Sequence, residues 1–357
     1  MRALGMYEGG RLELEETSIP QPPPGWGLVR SIASAAGLFQ AQMLSGMLPT
    51  DGYPRILGHE IVGEVAQVTS DAAPPEESMV VVDAVVGCGV CEWCITGDDM
   101  ICPWMRHLGI NIDGGYADYV AVPESHMFPI KPGTPVEEAV MLGSALPAAV
   151  HAARRAGVRG GHRVVVTGVG SIGLTICQVA RAMGATTVVA VDIADDRLDA
   201  AAPWADGVVN VSGVEHEEAA HRVSRALGSP AGADIVFEAA GHIDSVDLGL
   251  RAVRRGGTVL LMGICEGRTS ITFDSFLRDF LSREVSLVTT FGFTRQDFVI
   301  GNRLHATGNL DLSALTGENH HPGAGTGRAG GDRRLGNPRK APGSGRSDPV
   351  AGRRPSG

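Results

Sequence analysis

The stretch Arg163-Val164-Val165-Val166-Thr167-Gly168-Val169-Gly170-Ser171-Ile172-Gly173 decides the fold. Its β-branched run predicts a strand, a Gly-x-Gly-x-x-Gly turn follows at once, and an apolar helix is expected from Ser171 to Met183. A second strand, Thr187 to Val191, leads to Asp192, 19 residues past the last glycine. Flanking elements in this order turn a weak glycine motif into a dinucleotide fingerprint. Gly168 permits the tight turn, Gly170 lets backbone approach a pyrophosphate, and Gly173 lets helix and strand pack closely. The N–H groups of Ser171 and Ile172 at the helix start then face the phosphates. Asp192 would accept from ribose hydroxyls and repel a 2′-phosphate, favouring NAD(H) over its phosphorylated form, while Arg197 pulls the other way.

Strand candidates continue at Val208–Val211, Asp234–Phe237, Thr258–Met262 and Val285–Thr289, with helical stretches between them. Strands alternating with helices imply an α/β, doubly wound parallel sheet, a Rossmann domain placed at residues 141–290. Residues 1–140 have a different rhythm. Short strand-like segments, Ile61-Val62-Gly63-Glu64-Val65 and Met79-Val80-Val81-Val82 among them, alternate with turns such as Gln21-Pro22-Pro23-Pro24-Gly25. This region reads as a β-rich domain, rejoined by residues 291–317.

Four of the six cysteines form Cys88-x2-Cys91-x2-Cys94-x7-Cys102. In a reducing compartment such clustering points to metal before disulfides, and four thiolates without an open position suit a closed, structural zinc. The lobe is expected over residues 88–102. Cys177 and Cys265 read as packed small residues.

Lys plus Arg is 30 against 40 for Asp plus Glu, net −10, which argues against nucleic-acid or anionic-membrane partners. No apolar run reaches the roughly 18 residues needed to span a bilayer, and the N-terminus lacks a signal-peptide pattern, so a cytoplasmic protein is expected. Residues 318–357 stand apart: eight basic and three acidic groups give them +5, leaving −15 on residues 1–317. Fifteen of those 40 residues are Gly or Pro and only Leu335 and Val350 are large aliphatics, so little could offset the entropy of ordering them. Two readings stay open, a disordered basic tail or a shifted reading frame. One base along, codons for His320 to Thr326 can spell Ile-Thr-Leu-Glu-Gln-Val-Pro.

The four-cysteine run, Gly58-His59-Glu60-x2-Gly63, Asp113-Gly114-Gly115-Tyr116-Ala117-Asp118-Tyr119-Val120, the nucleotide fingerprint and Gly232-Ala233-Asp234-Ile235-Val236-Phe237-Glu238 together resemble the motifs of zinc-containing medium-chain alcohol and polyol dehydrogenases. The match runs to about residue 317, and His151 to Gly157 is most similar to the sorbitol or cyclitol branch. The resemblance implies a GroES-like catalytic domain, a substrate cleft between the two domains, and a homo-dimer or homo-tetramer joined through the sheet edge near Val285–Thr289. It also implies a catalytic zinc held by a Cys of a GxCGTD-like segment, the His of GHE and a Cys or Glu just before the nucleotide domain.

Here that donor set is eroded. Aligning Gly37-Leu38-Phe39-Gln40-Ala41-Gln42 with the first segment puts Phe39 at the cysteine, Ala41 at the proton-relay hydroxyl and Gln42 at the aspartate that orients the histidine. Ser144 takes the place of the last ligand. A phenylalanine cannot ligate and a neutral serine is a poor substitute for a thiolate. His59 and Glu60 survive, either as general acid and base or as hydrogen-bonded remnants, and Ser144 is counted with them as a candidate catalytic residue. The implied activity is hydride transfer between NAD(H) and a secondary alcohol or ketone of a polyol, sugar or cyclitol. A reductase of an activated C=C or carbonyl needing no Lewis acid is the second reading, and an inactive nucleotide-binding relative the third.

Overall fold

The computed structural model describes residues 1–48, 50–265 and 269–315, and residues 1–317 gather into one compact unit. Both readings of segment 318–357 lie outside the described residues.

Six strands form one parallel sheet in the order Gly207–Asn210, Thr187–Asp192, Arg163–Thr167, Ala233–Glu238, Val253–Leu261, Ser286–Thr289. In chain order this is 3-2-1-4-5-6, and the order reverses beside Arg163–Thr167, where a doubly wound sheet opens its ligand crevice. Val164, Val165 and Val166 are all fully buried because both faces of the sheet are covered. One face carries the helices Ala145–Ala156 and Ser171–Ala182; the other carries His216–Ala226 and Ile243–Ala252. Burial of each such valine contributes about 1.5–3 kcal/mol, which is why a run of three commits this segment to the centre.

The fifth strand departs from expectation. Ala233 pairs with Val253 but Ile235 pairs with Thr258, so the residues between form a bulge. Gly256-Gly257 reads as a break in sequence, and only the half from Thr258 is legible as strand.

The N-terminal region is antiparallel. A five-stranded sheet runs Met127–Pro129, Met79–Val82, Ile61–Gln67, Trp26–Ser34, Tyr119–Pro123, beside a smaller sheet of Arg11–Glu16, Arg2–Tyr7 and Arg55–Ile56. Alternating residues Val29, Ile61, Val65, Val80, Val82, Val120 and Val122 fill its own core, whereas Val62 and Val81 point the other way. They join the core that contains Leu146, Val150 and Val164, so one face of this sheet leans on the helix layer of the nucleotide domain.

The helix Arg295–Ala306 starts at a capping box between Thr294 and Asp297. Its Phe298 stacks on Phe128 with ring centroids 4.2 Å apart, and its His305 Nε2 lies 3.0 Å from Glu138 Oε2. The chain after residue 290 thus packs against the N-terminal sheet. Among the described residues no helix is long and apolar enough to cross a membrane.

Candidate active site and metal centre

At the crevice, Gly168 has φ +82°, and a Cβ there would meet Ala240 at 2.5 Å. A Cβ on Gly173 would lie 1.9 Å from the Gly168 carbonyl oxygen, so the helix can approach the loop only without one. A Cβ on Gly170 would meet nothing within 4 Å. That glycine borders open space rather than protein, as a phosphate cradle requires. The helix begins at Ser171, directing its first N–H groups into the same space.

Asp192 is held at the end of its strand by three backbone donors: Val169 N–H to Oδ2 at 2.8 Å, and Ile193 and Ala194 N–H to Oδ1 at 2.8 and 3.1 Å. The carboxylate ties the glycine loop to the second strand. Arg197 is exposed and stands 3.9 Å from it. Glu238, a motif residue given no role by its sequence context, ends the neighbouring strand. It accepts from the N–H groups of Ala240 and Gly241 at 3.0 and 2.8 Å and from the Ser245 hydroxyl. It thereby fixes the loop that walls off Gly168.

The four cysteines converge, with all four sulfurs within 4.8 Å of one another. Separations of 3.5 Å (Cys91–Cys94), 3.7 Å (Cys91–Cys102) and 4.0 Å (Cys88–Cys94) bracket the about 3.8 Å edge of a tetrahedron with Zn–S bonds of about 2.3 Å. Backbone N–H groups point at the sulfurs: Val90 and Cys91 at Cys88, Gly89 at Cys94, Cys88 and Trp104 at Cys102. The Cys88 thiol is pulled down to about 7, first by its bond from Val90, while burial pushes Cys94 and Cys102 up. The donor set fits a structural zinc ion. Asp99, within this lobe, pairs with Arg295 at 3.2 Å and so ties the lobe to the helix after residue 290.

The second constellation is different. His59 and Glu60 are partly exposed, and Ser144, just ahead of helix Ala145–Ala156, hydrogen-bonds the Glu60 carboxyl. Burial raises Glu60 above the usual carboxylate range, with the Ser144 bond opposing that rise. The structure therefore brings these three residues together. The Phe39 ring sits edge-on to the His59 ring at 5.1 Å between centroids, closing the side on which a thiolate would approach.

Two neighbours of His59 were not legible in the sequence. His107, from the two-residue strand Arg106–His107, presents its ring 5.3 Å from that of His59 at 67°. Its Nδ1 lies 2.7 Å from the Leu108 carbonyl oxygen. Burial lowers His59 to about 4, and burial together with His59 lowers His107 to about 3, so both are uncharged at neutral pH.

Gln40, not Gln42, is the residue on His59. Its Nε2 lies 2.7 Å from His59 Nδ1 while its Oε1 accepts from Gly37 N–H at 3.0 Å. Gln42 is buried elsewhere in the same short helix, Leu38–Leu44, with Oε1 unpartnered among the described residues. The expected role moves two positions because Gln40 is the third helical residue, whose side chain folds back to cap the helix start. With a phenylalanine in one ligand position and a serine in another, this set does not fit a catalytic zinc.

The family described as the alcohol dehydrogenase GroES-like domain matches residues 23–132, and the zinc-binding dehydrogenase family matches residues 171–304. D-xylulose reductase A of Aspergillus oryzae is 32% identical over 265 residues, 73% of each chain. L-threonine 3-dehydrogenase of Bacillus licheniformis is 35% identical over 214 residues, 60% of each chain. Among solved structures, a zinc-binding dehydrogenase of Sinorhizobium meliloti bound to NADP superposes with a TM-score of 0.79 at 28% identity, over 87% of this chain and 89% of that one.

Proposed function

Because the chain belongs to the zinc-containing medium-chain alcohol and polyol dehydrogenase superfamily, we propose that it is an NAD(H)-dependent oxidoreductase acting on a secondary alcohol or ketone of a polyol, sugar or cyclitol. The observation that carries this reading is the open cradle over Gly170, bordered by the helix start at Ser171 and by Asp192 on its three backbone donors. Gly168, Gly170, Ser171, Ile172 and Gly173 bind the pyrophosphate, and Asp192 takes the ribose hydroxyls with Arg197 at the rim. When bound, the nicotinamide supplies or accepts the hydride.

The chain's own residues manage the proton. Glu60, raised above the usual carboxylate range by burial and bonded to Ser144, stands beside the cleft as a relay for that proton. His59 lies beside it as an uncharged hydrogen-bonding group. Cys88, Cys91, Cys94 and Cys102 hold the structural zinc. The catalytic domain spans residues 1–140 and 291–317 around a nucleotide domain of 141–290, and the enzyme works in the cytoplasm as a dimer or tetramer through the exposed edge strand Ser286–Thr289.

NADH fluorescence titration followed by a panel of polyols, cyclitols and their ketones tests this. NADH binds roughly tenfold or more tightly than NADPH if Asp192 meets the ribose; absence of binding to either overturns the reading. The second reading, a reductase of an activated C=C or carbonyl, is favoured by one observation, the Phe39 ring against His59. Turnover of enones with none of polyols would select it.

A further inference from the structure

We propose that Gln40 locks His59 in its Nε2–H tautomer, so that the cleft presents an uncharged hydrogen-bond donor, beside the unprotonated Nε2 of His107, in place of a metal ligand.

The assignment follows from one chain of donors and acceptors. Gly37 N–H has a proton to give, and Gln40 Oε1 receives it at 3.0 Å. The other end of that amide is therefore the NH2 group, 2.7 Å from His59 Nδ1. Turning the amide over would set NH2 against N–H at Gly37, two donors face to face in a side chain that is 5% exposed. So Gln40 donates, Nδ1 of His59 accepts, and the single ring proton of the neutral imidazole sits on Nε2. A metal-ligating histidine needs the reverse, a neighbour that accepts from one ring nitrogen and leaves the other with a free lone pair. The Gln40 amide thus opposes ligation at His59 independently of the loss of donors at Phe39 and Ser144.

His107 is set the opposite way. Its Nδ1 lies 2.7 Å from the Leu108 carbonyl oxygen, which can only accept, so Nδ1 carries the proton and Nε2 the lone pair. Neither Nε2 has a protein partner among the described residues. One ring offers N–H and its neighbour a lone pair, a pairing that suits an alcohol oxygen, which accepts from the first and donates to the second. The carbonyl oxygen of the matching ketone keeps only the bond from His59. In this arrangement Gln40 is a positioning residue, and His59 and His107 touch the substrate oxygen. That last step rests on the reading of this cleft as the reaction site; the tautomer assignment does not.

The test is long-range proton–nitrogen NMR of the full chain labelled with 15N-histidine. For His59 the expected pattern is a pyrrole-type Nε2 and a pyridine-type Nδ1 between pH 6 and 8, and for His107 the reverse. Gln40→Glu, which still accepts from Gly37 but must also accept from His59, swaps the His59 pattern. Gln40→Asn, too short to reach, leaves a mixture of the two forms. A pyrrole-type Nδ1 on His59 in the unsubstituted protein, or no change in Gln40→Glu, overturns the proposal. The first of these measurements needs no variant, so a misfolded substitution cannot shelter it. A second readout separates the two claims: His107→Phe should weaken binding of an alcohol substrate at least tenfold more than binding of NADH. The expected tautomers without NADH binding would overturn the enzymatic reading alone; NADH-dependent turnover with the opposite tautomers would overturn this proposal alone.

Discussion

The four-cysteine lobe and the His59 cluster occupy the same chain, and only one of them is built for a metal. In the lobe, four sulfurs stand at tetrahedral spacing and backbone N–H groups point at them. Around His59, a phenylalanine ring fills one approach, a serine faces Glu60 and an amide donates to the imidazole. The comparison teaches that a metal site is lost by more than its ligands. The neighbour that sets the proton of a surviving histidine decides whether that histidine can still ligate.

The largest effect should come from breaking the intact side. Cys94→Ser removes one of the four sulfurs of a closed site and should empty it, destabilising the protein by about 4 kcal/mol or more; calorimetry with and without chelator checks this. If the variant and the parent melt alike, the lobe is not held by metal. Next come the two glycines of the cofactor loop, which separate folding from binding. Gly173→Ala forces a methyl group against the Gly168 carbonyl at 1.9 Å and should cost about 1–3 kcal/mol of stability along with NADH binding. Gly170→Ala meets no protein within 4 Å, so its melting temperature should stay put while NADH affinity falls. Equal effects of both substitutions would mean that the space over Gly170 is not a cradle.

Acid should expose the His59 cluster. His59 and His107 stay neutral in the fold down to about 4 and about 3 against 6.5 when unfolded. Between those limits the unfolded chain binds about two more protons than the native one, so stability falls as pH drops below about 6.5. His107→Phe should remove about half of that slope in urea titrations; an unchanged slope would show that His107 is not buried neutral. The smallest effect tests the eroded side itself. Phe39→Cys with Ser144→Cys restores two thiolates but should raise zinc content little until Gln40→Glu is added, because the Nε2 proton remains in the way.

What could be read in the sequence follows from how local each device is. The glycine loop and the cysteine run each lie within 15 residues, so spacing alone carries their geometry, and the alternation of strands with helices marks the sheet as parallel but leaves its strand order to the fold. The bulge at Arg254–Gly257 was hidden by its glycines. The His59 surroundings were hidden for another reason: Phe39, Gln40, His59, His107 and Ser144 come from four separate stretches of the chain and meet only in the folded chain. Alignment by motif pointed to Gln42 as the orienting residue, and helix capping at Gly37 put Gln40 there instead. His107 carried no motif signal at all.

The contrast between the two sites is tested most directly by counting zinc in the purified full-length chain. One zinc per chain, abolished by Cys94→Ser and untouched by His59→Phe, is the expected result; two per chain, falling to one in His59→Phe, would contradict it.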